Sequence, residues 1–216
     1  LLKIALQKSG RLHNDSIYLI KECGIQLNTV KQLKNTALNF PLDLFFLRDD
    51  DIPQLLEYGV ADIGIIGNNI YMEKEKKIKI IDELGFCKCR LSIAFPKEFE
   101  YKDIYDLNNK KIATSYPILL KKFLKLNQIN AYIYQLSGSV EIAPSIGLSD
   151  CICDLVSSGE TLFMNGLIEK IIILECEAVL AANKNMNVKT IKNLLVIIKK
   201  AKNMIFDNTD NISDVL

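Results

Sequence analysis

The chain alternates short apolar runs with longer stretches in which apolar residues recur every three or four positions. Residues 3–6 read as a strand with Ile4-Ala-Leu6 apolar after Lys3, 63–66 is a short buried run, and 42–47 is apolar apart from Asp43. That is the pattern of strands covered on both faces in a parallel sheet. Residues 78–84, 87–95, 110–114, 131–135, 151–156, 171–174 and 178–182 read as further strands. Helical segments fall between them. Asn14 or Asp15 suits the cap of a helix that runs to Glu22 and is closed by Gly24. Pro53 opens a short helix over 52–58 that Gly59 stops, and Pro117 opens one that runs to Leu126. Residues 140–148 predict a short helix interrupted at Pro144. Over 188–206, Ile191, Leu194, Leu195, Ile198 and Ile205 share one face, against Lys192, Lys199 and Lys202. Such a helix packs on a core rather than lying on a membrane. Residues 207–216 are polar and expected to fray. Strands and helices in alternation predict an α/β chain with mostly parallel sheets.

Composition narrows the function classes. The 216 residues are 49% hydrophobic, enough for one large core or two small ones. With 27 basic and 26 acidic residues the net charge is +1, so no overall field favours nucleic acid or a membrane surface. Apolar runs such as Ile171-Ile-Ile-Leu174 fall far short of the roughly 20 residues a membrane span needs. The first residues read as a strand rather than a secretory signal, and the very start of the protein is expected upstream of Leu1. The expectation is a cytoplasmic protein with no nucleic-acid or membrane partner. Cys87 and Cys89, and Cys151 and Cys153, form two C-x-C pairs expected on strands with both side chains on one face. With His13 the single histidine, free thiols in a reducing compartment are expected, and no metal site. His13 itself reads as a surface residue. Only three of the 27 basic residues are arginines, Arg11, Arg48 and Arg90. In a chain so biased toward lysine, arginine is expected where a planar fork must grip phosphate or carboxylate.

One segment carries chemistry. Asp154-Leu-Val-Ser-Ser-Gly-Glu-Thr-Leu162 ends an apolar strand in two hydroxyls, a glycine and a third hydroxyl. Ser157, Ser158 and Thr161 offer donors, and Gly159 lets the backbone approach a ligand closely. A helix starting near Glu160 would add partial positive charge. Asp154, just before the turn, can accept from sugar hydroxyls. The segment suits an anionic, sugar-bearing ligand. It also suits an ordinary strand–turn–helix with capping hydroxyls.

A longer pattern surrounds that segment. Glu141, Gly147, Ser149, Ile152, Asp154, Ser158, Gly159 and Thr161 fall in the places of a known signature, and the stretch resembles that of the ATP phosphoribosyltransferase family. Ile4-Ala-Leu-Gln-Lys-Ser-Gly-Arg-Leu12, Arg48-Asp-Asp-Asp-Ile-Pro53 and Gly59-Val-Ala-Asp-Ile-Gly-Ile-Ile-Gly67 are similar to earlier blocks of that family. Cys89-Arg-Leu-Ser-Ile-Ala94, Lys111-Ile-Ala-Thr-Ser-Tyr-Pro117 and Gly138-Ser-Val-Glu141 follow in the same order. The resemblance implies the two-lobed fold of type II periplasmic binding proteins. Lobe I would take residues 1–90 and 176–216. Lobe II would take 91–175 and carry the phosphoribosyl-phosphate cradle, with ligands in the cleft between lobes.

The implied reaction is attack of N1 of ATP on phosphoribosyl pyrophosphate with release of pyrophosphate, the first step of histidine biosynthesis. Mg2+ would arrive on the substrate. The nucleophile brings its own lone pair, so positioning and electrostatics dominate and a strong base is not needed. Ser157, Ser158, Gly159 and Thr161 are candidates for the ribose 5-phosphate. Asp154 and Glu141 are candidates for ribose hydroxyls or for offsetting developing positive charge. Lys8, Arg11 and Arg48 are candidates for pyrophosphate or ATP phosphates, with Arg48, Asp154 and Glu141 forming the catalytic set. Asp62 would line the nucleotide side or cap locally. Thr114 and Ser115, with Tyr116, would meet phosphate or ribose, or cap the Pro117 helix. Asp49, Asp50 and Asp51 read as a cap and an exposed turn rather than metal ligands.

The chain departs from the family pattern at several places. Gln32, Phe46 and Ser145-Ile146 stand where arginine is common, and Glu160 where a small neutral residue is usual. The chain ends before the histidine-binding C-terminal domain of long family members. It resembles the short forms in length and the long forms in Gln7-Lys-Ser-Gly-Arg11, so a natural short form and a truncated long form both stand. The partners implied are a second copy, as a dimer or higher homo-oligomer, or a regulatory subunit similar to histidyl-tRNA synthetase. The alternatives are a non-catalytic binding protein of the same fold and a weakly active or degenerate transferase. A Rossmann-like phosphoribosyltransferase motif at residues 45–51 does not continue into Thr/Gly-rich residues, and no Walker loop is present.

Overall fold

In a computed structural model, residues 1–28 and 32–210 are described. In chain order they form β1 (Leu2–Gln7), α1 (Arg11–Glu22), β2 (Lys34–Thr36), β3 (Leu42–Leu47), α2 (Ile52–Glu57), β4 (Ile63–Gly67), α3 (Asn68–Lys74) and β5 (Ile78–Glu83). Then come β6 (Cys89–Pro96), β7 (Lys111–Thr114), α4 (Pro117–Leu126), β8 (Tyr132–Gln135), β9 (Cys151–Val156), α5 (Glu160–Met164) and β10 (Leu167–Cys176). β11 (Ala178–Asn183) and α6 (Lys192–Asp210) complete them. Two compact units result, one of Leu1–Cys87 with Glu177–Leu216, the other of Lys88–Cys176.

The first unit holds a six-stranded sheet in the order β2-β3-β1-β4-β11-β5. β1 runs parallel to β3 and β4, whereas β11 is antiparallel to β4 and β5, and β2 to β3. Alternate residues of each strand feed opposite faces. Ile4, Leu6, Ile63 and Ile65 pack with Leu19 and Ile20 of α1 and with Leu194 and Ile198 of α6. Ala5, Ile66 and Val179 pack on the other face with Ile52 and Leu56 of α2. α2 sits so close that a Cβ on Gly64 would come within 2.8 Å of Ile52 Cγ2, so a side chain there would push the helix off the sheet. The apolar stripe of α6 is buried as its spacing predicts, and Lys202 leaves that helix to pair with Asp82 at 3.5 Å.

The second unit holds a five-stranded sheet in the order β10-β6-β9-β7-β8. β7 is parallel to β8 and β9, while β6 is antiparallel to both β9 and β10. One face carries Leu91, Ile93, Phe95, Cys151 and Cys153 against α4. The other carries Ala94, Ile152 and Val156 beneath Val140, Ala143 and Leu162.

Several expectations are corrected. Both sheets are mixed rather than mostly parallel, because β2 and β11 in one and β6 in the other run antiparallel to their neighbours. α1 begins at Arg11, with Gly10 at its N-cap (φ 91°) and no side-chain cap, so neither Asn14 nor Asp15 caps it. Residues 140–148 make a single 3-10 turn, Val140–Ile142, followed by turns rather than a helix. β10 spans ten residues where four were expected. Cys87 lies outside a strand at φ 54°, in the first unit, while Cys89 opens β6 in the second; that C-x-C pair does not share a face. α6 starts at Lys192 after a 3-10 turn and continues past Phe206 to Asp210. The remainder of the expected frayed tail, 211–216, lies outside the described residues. β2 and α3 carry no strong pattern and were not expected.

Candidate functional site

In the second unit, the order β9-β7-β8 sends successive connections to opposite sides of β7, which opens a crevice at the carboxyl ends of β7 and β9. Thr114 and Ser115 leave β7 there, and Ser157, Ser158 and Gly159 leave β9. The chain past β8 returns to the same edge, where the Leu136 amide bonds the Thr114 carbonyl at 3.0 Å and Glu141 sits in the 3-10 turn. The parallel topology thus gathers Thr114, Ser115, Glu141, Asp154, Ser157, Ser158, Gly159 and Thr161 at one edge.

Asp154 lies in β9 two residues from both Ile152 and Val156. It therefore shares their face, under the turn that carries Glu141. Burial pushes its carboxyl up to about 6; the Leu155 amide, donating at 2.8 Å, pulls it down and the Glu141 charge adds to the rise. At neutral pH it is ionised and ready to accept from hydroxyls.

The loop after β9 turns through Gly159 at φ 83°, a left-handed conformation that favours glycine; a Cβ there would meet only Val156 Cγ1 at 4.0 Å. The Ser158 hydroxyl accepts from the Glu160 amide at 3.3 Å. Among the described residues the Ser158 and Gly159 amides have no acceptor. α5 is a single turn of five residues, so the helix-dipole contribution expected from sequence is small, and what the loop offers an anion is its own amides and hydroxyls. Glu160 is exposed.

Thr114 and Ser115 shape this edge. The Thr114 hydroxyl accepts from the Tyr116 amide at 2.9 Å, and the Ser115 hydroxyl donates to the Leu136 carbonyl at 2.9 Å. Sequence reasoning left Arg90 and Glu169 out of the site. Arg90 Nε and Nη2 grip the two Glu169 carboxylate oxygens at 2.5 Å each, while Nη1 donates to the Ser157 carbonyl at 3.1 Å. The scarcity of arginine singled out Arg90. Glu169, 79 residues away on β10, gave no signal.

In the first unit, β1 and β3 end in register, Gln7 beside Leu47, and the Lys8 amide extends the ladder to the Leu47 carbonyl at 2.8 Å. Lys8 and Arg48 therefore emerge side by side. Arg48 is exposed and has no ion-pair partner among the described residues. Arg11 opens α1 and pairs with Asp15 at 3.8 Å. A cavity of about 710 Å3 adjoins this edge, lined in part by Lys8, His13, Gln32 and Phe46. His13 is half-buried rather than a surface residue. Its Nδ1 meets the Gln7 carbonyl at 2.7 Å, and its ring stands edge-on to Phe46 with centroids 5.5 Å apart. A carbonyl only accepts, so Nδ1 carries the proton.

Asp62 does not join this group. It precedes β4, its carboxylate accepts from the Lys3 amide at 2.8 Å, and its own amide bonds the Lys3 carbonyl at 2.9 Å. It lies at the amino-terminal edge of the sheet, about 17 Å along β1 from Lys8. Two of the three acids after Arg48 are tied locally, Asp49 accepting from the Asp50 amide at 3.0 Å and Asp50 pairing with Lys74 at 2.9 Å. Among the described residues no group of three or more His, Cys, Asp or Glu is arranged to hold a metal, and no helix is long and apolar enough to cross a membrane.

Comparison with known proteins gives one consistent result. The sequence model of the family HisG, ATP phosphoribosyltransferase, matches residues 48–202. An ATP phosphoribosyltransferase of Cytophaga hutchinsonii is 55% identical over 182 residues, 84% of this chain and 64% of its own length. One of Bacteroides thetaiotaomicron is 51% identical over 188 residues, 87% of this chain and 66% of its own. The chain thus spans about two thirds of the length of these relatives. Among solved structures, a chain of the ATP phosphoribosyl transferase (HisG:HisZ) complex from Thermotoga maritima matches with TM-score 0.81 at 26% identity, over 94% of this chain and 100% of that one. The periplasmic aliphatic sulphonate binding protein SsuA from Escherichia coli matches with TM-score 0.62 at 13% identity, over 97% of this chain and 75% of that one, a likeness of fold alone. The fold is the two-lobed α/β type of periplasmic binding proteins.

Proposed function

The chain belongs to the ATP phosphoribosyltransferase family, and from that premise we propose that it transfers the phosphoribosyl group of phosphoribosyl pyrophosphate to N1 of ATP, releasing pyrophosphate. The observation that carries the reading is the convergence of Asp154, Glu141 and the Ser157–Thr161 loop at the switch point of one sheet. A loop of amides and hydroxyls, with the Ser158 and Gly159 amides lacking an acceptor among the described residues, suits the 5-phosphate. Next to it, two carboxylates suit the ribose: ionised Asp154 accepts from its hydroxyls, and Glu141 adds negative charge where the ring becomes cationic. N1 of adenine needs no base to expose its lone pair. Accordingly the residues at hand bind, orient and balance charge rather than move protons.

Lys8, Arg11 and Arg48 take the pyrophosphate or the ATP phosphates in this reading. Lys8 and Arg48 emerge from neighbouring strand ends, and Arg48 offers an unpaired fork. Asp62 has no part in it. Mg2+ fits as an ion carried by substrate phosphates, because such an ion keeps most of its waters and takes one or two carboxylates. When bound, it neutralises charge on the departing pyrophosphate. The working protein is a homo-oligomer or a complex with a regulatory subunit similar to histidyl-tRNA synthetase, in the cytoplasm; the likeness to a chain of the HisG:HisZ complex supports such a partner.

The test is incubation with ATP, phosphoribosyl pyrophosphate and Mg2+, with phosphoribosyl-ATP detected by mass spectrometry. Product that falls in Asp154→Asn and in Arg48→Lys supports the transferase and a role for each of these residues. No product, even with a regulatory subunit added, points to a binding-only or degenerate protein.

A further inference from the structure

Arg90 is the one arginine that the proposed chemistry leaves without a task. Its fork is already filled. Nε and Nη2 hold both oxygens of Glu169, and Nη1 holds the carbonyl of Ser157, the first residue of the cradle. Arg90 stands opposite Val156 in the β6–β9 ladder, so it reaches the loop just where β9 ends. Glu169 lies on the far neighbour β10, where a register irregularity follows it. Charge is balanced within the pair, so an anion bound nearby would feel little net attraction from it. What the pair does control is direction. A peptide unit is planar and trans, with its C=O and the following N–H pointing opposite ways. Drawing the Ser157 carbonyl toward Arg90 aims the Ser158 amide away from Arg90. It also removes a partial negative charge from the side where a phosphate would sit. The Ser158 and Gly159 amides are without an acceptor among the described residues.

Resting on the transferase reading above, we infer that Arg90, held by Glu169, is a positioning residue that fixes the Ser157–Ser158 peptide so that the cradle's amides face the 5-phosphate of the phosphoribosyl substrate. It acts through the loop and does not touch the substrate. A lysine keeps the charge but cannot bridge a carboxylate and a carbonyl at once. A glutamine at position 169 weakens the anchor and leaves the guanidinium freer.

The experiment compares Arg90→Lys and Glu169→Gln with the unaltered protein. Steady-state kinetics gives KM for each substrate, calorimetry gives affinity for ribose 5-phosphate, and thermal melting reports folding. A charge-assisted hydrogen bond is worth enough to predict about a tenfold rise in KM for phosphoribosyl pyrophosphate and about a tenfold weaker ribose 5-phosphate affinity in both variants. KM for ATP should stay within about twofold, since general destabilisation would move both substrates together. Unchanged ribose 5-phosphate affinity in a folded Arg90→Lys overturns the inference. So does tighter binding in Glu169→Gln, which would make Arg90 a direct phosphate ligand. Should Arg90→Lys not fold, Glu169→Gln decides alone. The calorimetric arm separates the two levels of reading. Arg90-dependent ribose 5-phosphate binding without any product refutes the transferase and keeps the positioning role, whereas product with unchanged affinity does the reverse. Absence of ribose 5-phosphate binding by the unaltered protein overturns both.

Discussion

Glu141 raises the cost of ionising Asp154, although one stands in a 3-10 turn and the other in β9, 13 positions apart in sequence. Burial does most of the work, and the like charge adds to it. The consequence is a site residue that opposes folding. The folded protein binds the Asp154 proton more tightly than the unfolded chain does, whose carboxyl titrates near the ordinary 3.8. Stability therefore falls as pH rises between about 4 and 6, and the cost is complete above that range. Asp154→Asn keeps an acceptor for the Leu155 amide and removes the charge. It should stabilise the protein by about 2 to 3 kcal/mol at pH 7.5 and by close to nothing at pH 4. Urea unfolding of both proteins at the two pH values measures this; equal stabilisation at both would contradict a buried ionised Asp154.

The same charge predicts a pH dependence of binding. Ionised Asp154 accepts from two hydroxyls, whereas the protonated form loses an acceptor and gains a donor. Affinity for ribose 5-phosphate should weaken as pH falls through about 6. In Asp154→Asn that step should vanish. Phosphate itself also titrates near pH 6, so the difference between the two proteins is the quantity to read.

Gly159 makes the cradle turn at φ 83° with open space around its missing Cβ. An alanine there meets backbone strain rather than a clash. Gly159→Ala should cost about 1 to 2 kcal/mol, and more in affinity for ribose 5-phosphate if the loop relaxes to negative φ. Melting temperature and calorimetry together check it. A loss of stability with affinity intact would mean that the amides do not form the phosphate site.

Asp62 shows what the sequence can and cannot say. Its place after the Gly59 turn and before an apolar strand was legible, and so was the strand itself. Which edge of the sheet it would occupy was not, because that depends on β4 lying parallel to β1 with Ile63 beside Ile4. Apolar periodicity is local, so α4 and β9 have their sequence-predicted bounds, Pro117–Leu126 and Cys151–Val156. Pairing partners are not local. The antiparallel return of β10 and β11, and the meeting of Arg90 with Glu169, follow from packing that no window of sequence contains. The turn from Ser157 to Thr161 is legible because its residues are contiguous. The start of α1 differs from the expectation because Asn14 and Asp15 look like caps, while Gly10 with its positive φ makes the turn four residues before Asn14. Asp62→Ala should accordingly lower stability by about 1 kcal/mol, through the lost acceptor for the Lys3 amide, and leave kcat/KM unchanged for both substrates.

Arg48 is the opposite case. It is exposed, it follows β3 at the level where Lys8 follows β1, and no described residue holds its guanidinium. Folding gains little from it, so Arg48→Lys should leave the melting temperature within about 1 °C, as surface substitutions generally do. A lysine keeps the charge and loses the bidentate fork. If Arg48 binds pyrophosphate or the ATP phosphates, kcat/KM should drop between about tenfold and a hundredfold, the range expected for losing charge-assisted hydrogen bonds. The split between kcat and KM then tells where the fork acts. A fall in kcat alone means that Arg48 meets charge developing on the leaving pyrophosphate, and a rise in KM for ATP alone means that it holds the nucleotide in the ground state. Full activity in Arg48→Lys would remove Arg48 from the site and leave Lys8 and Arg11 to carry the phosphates.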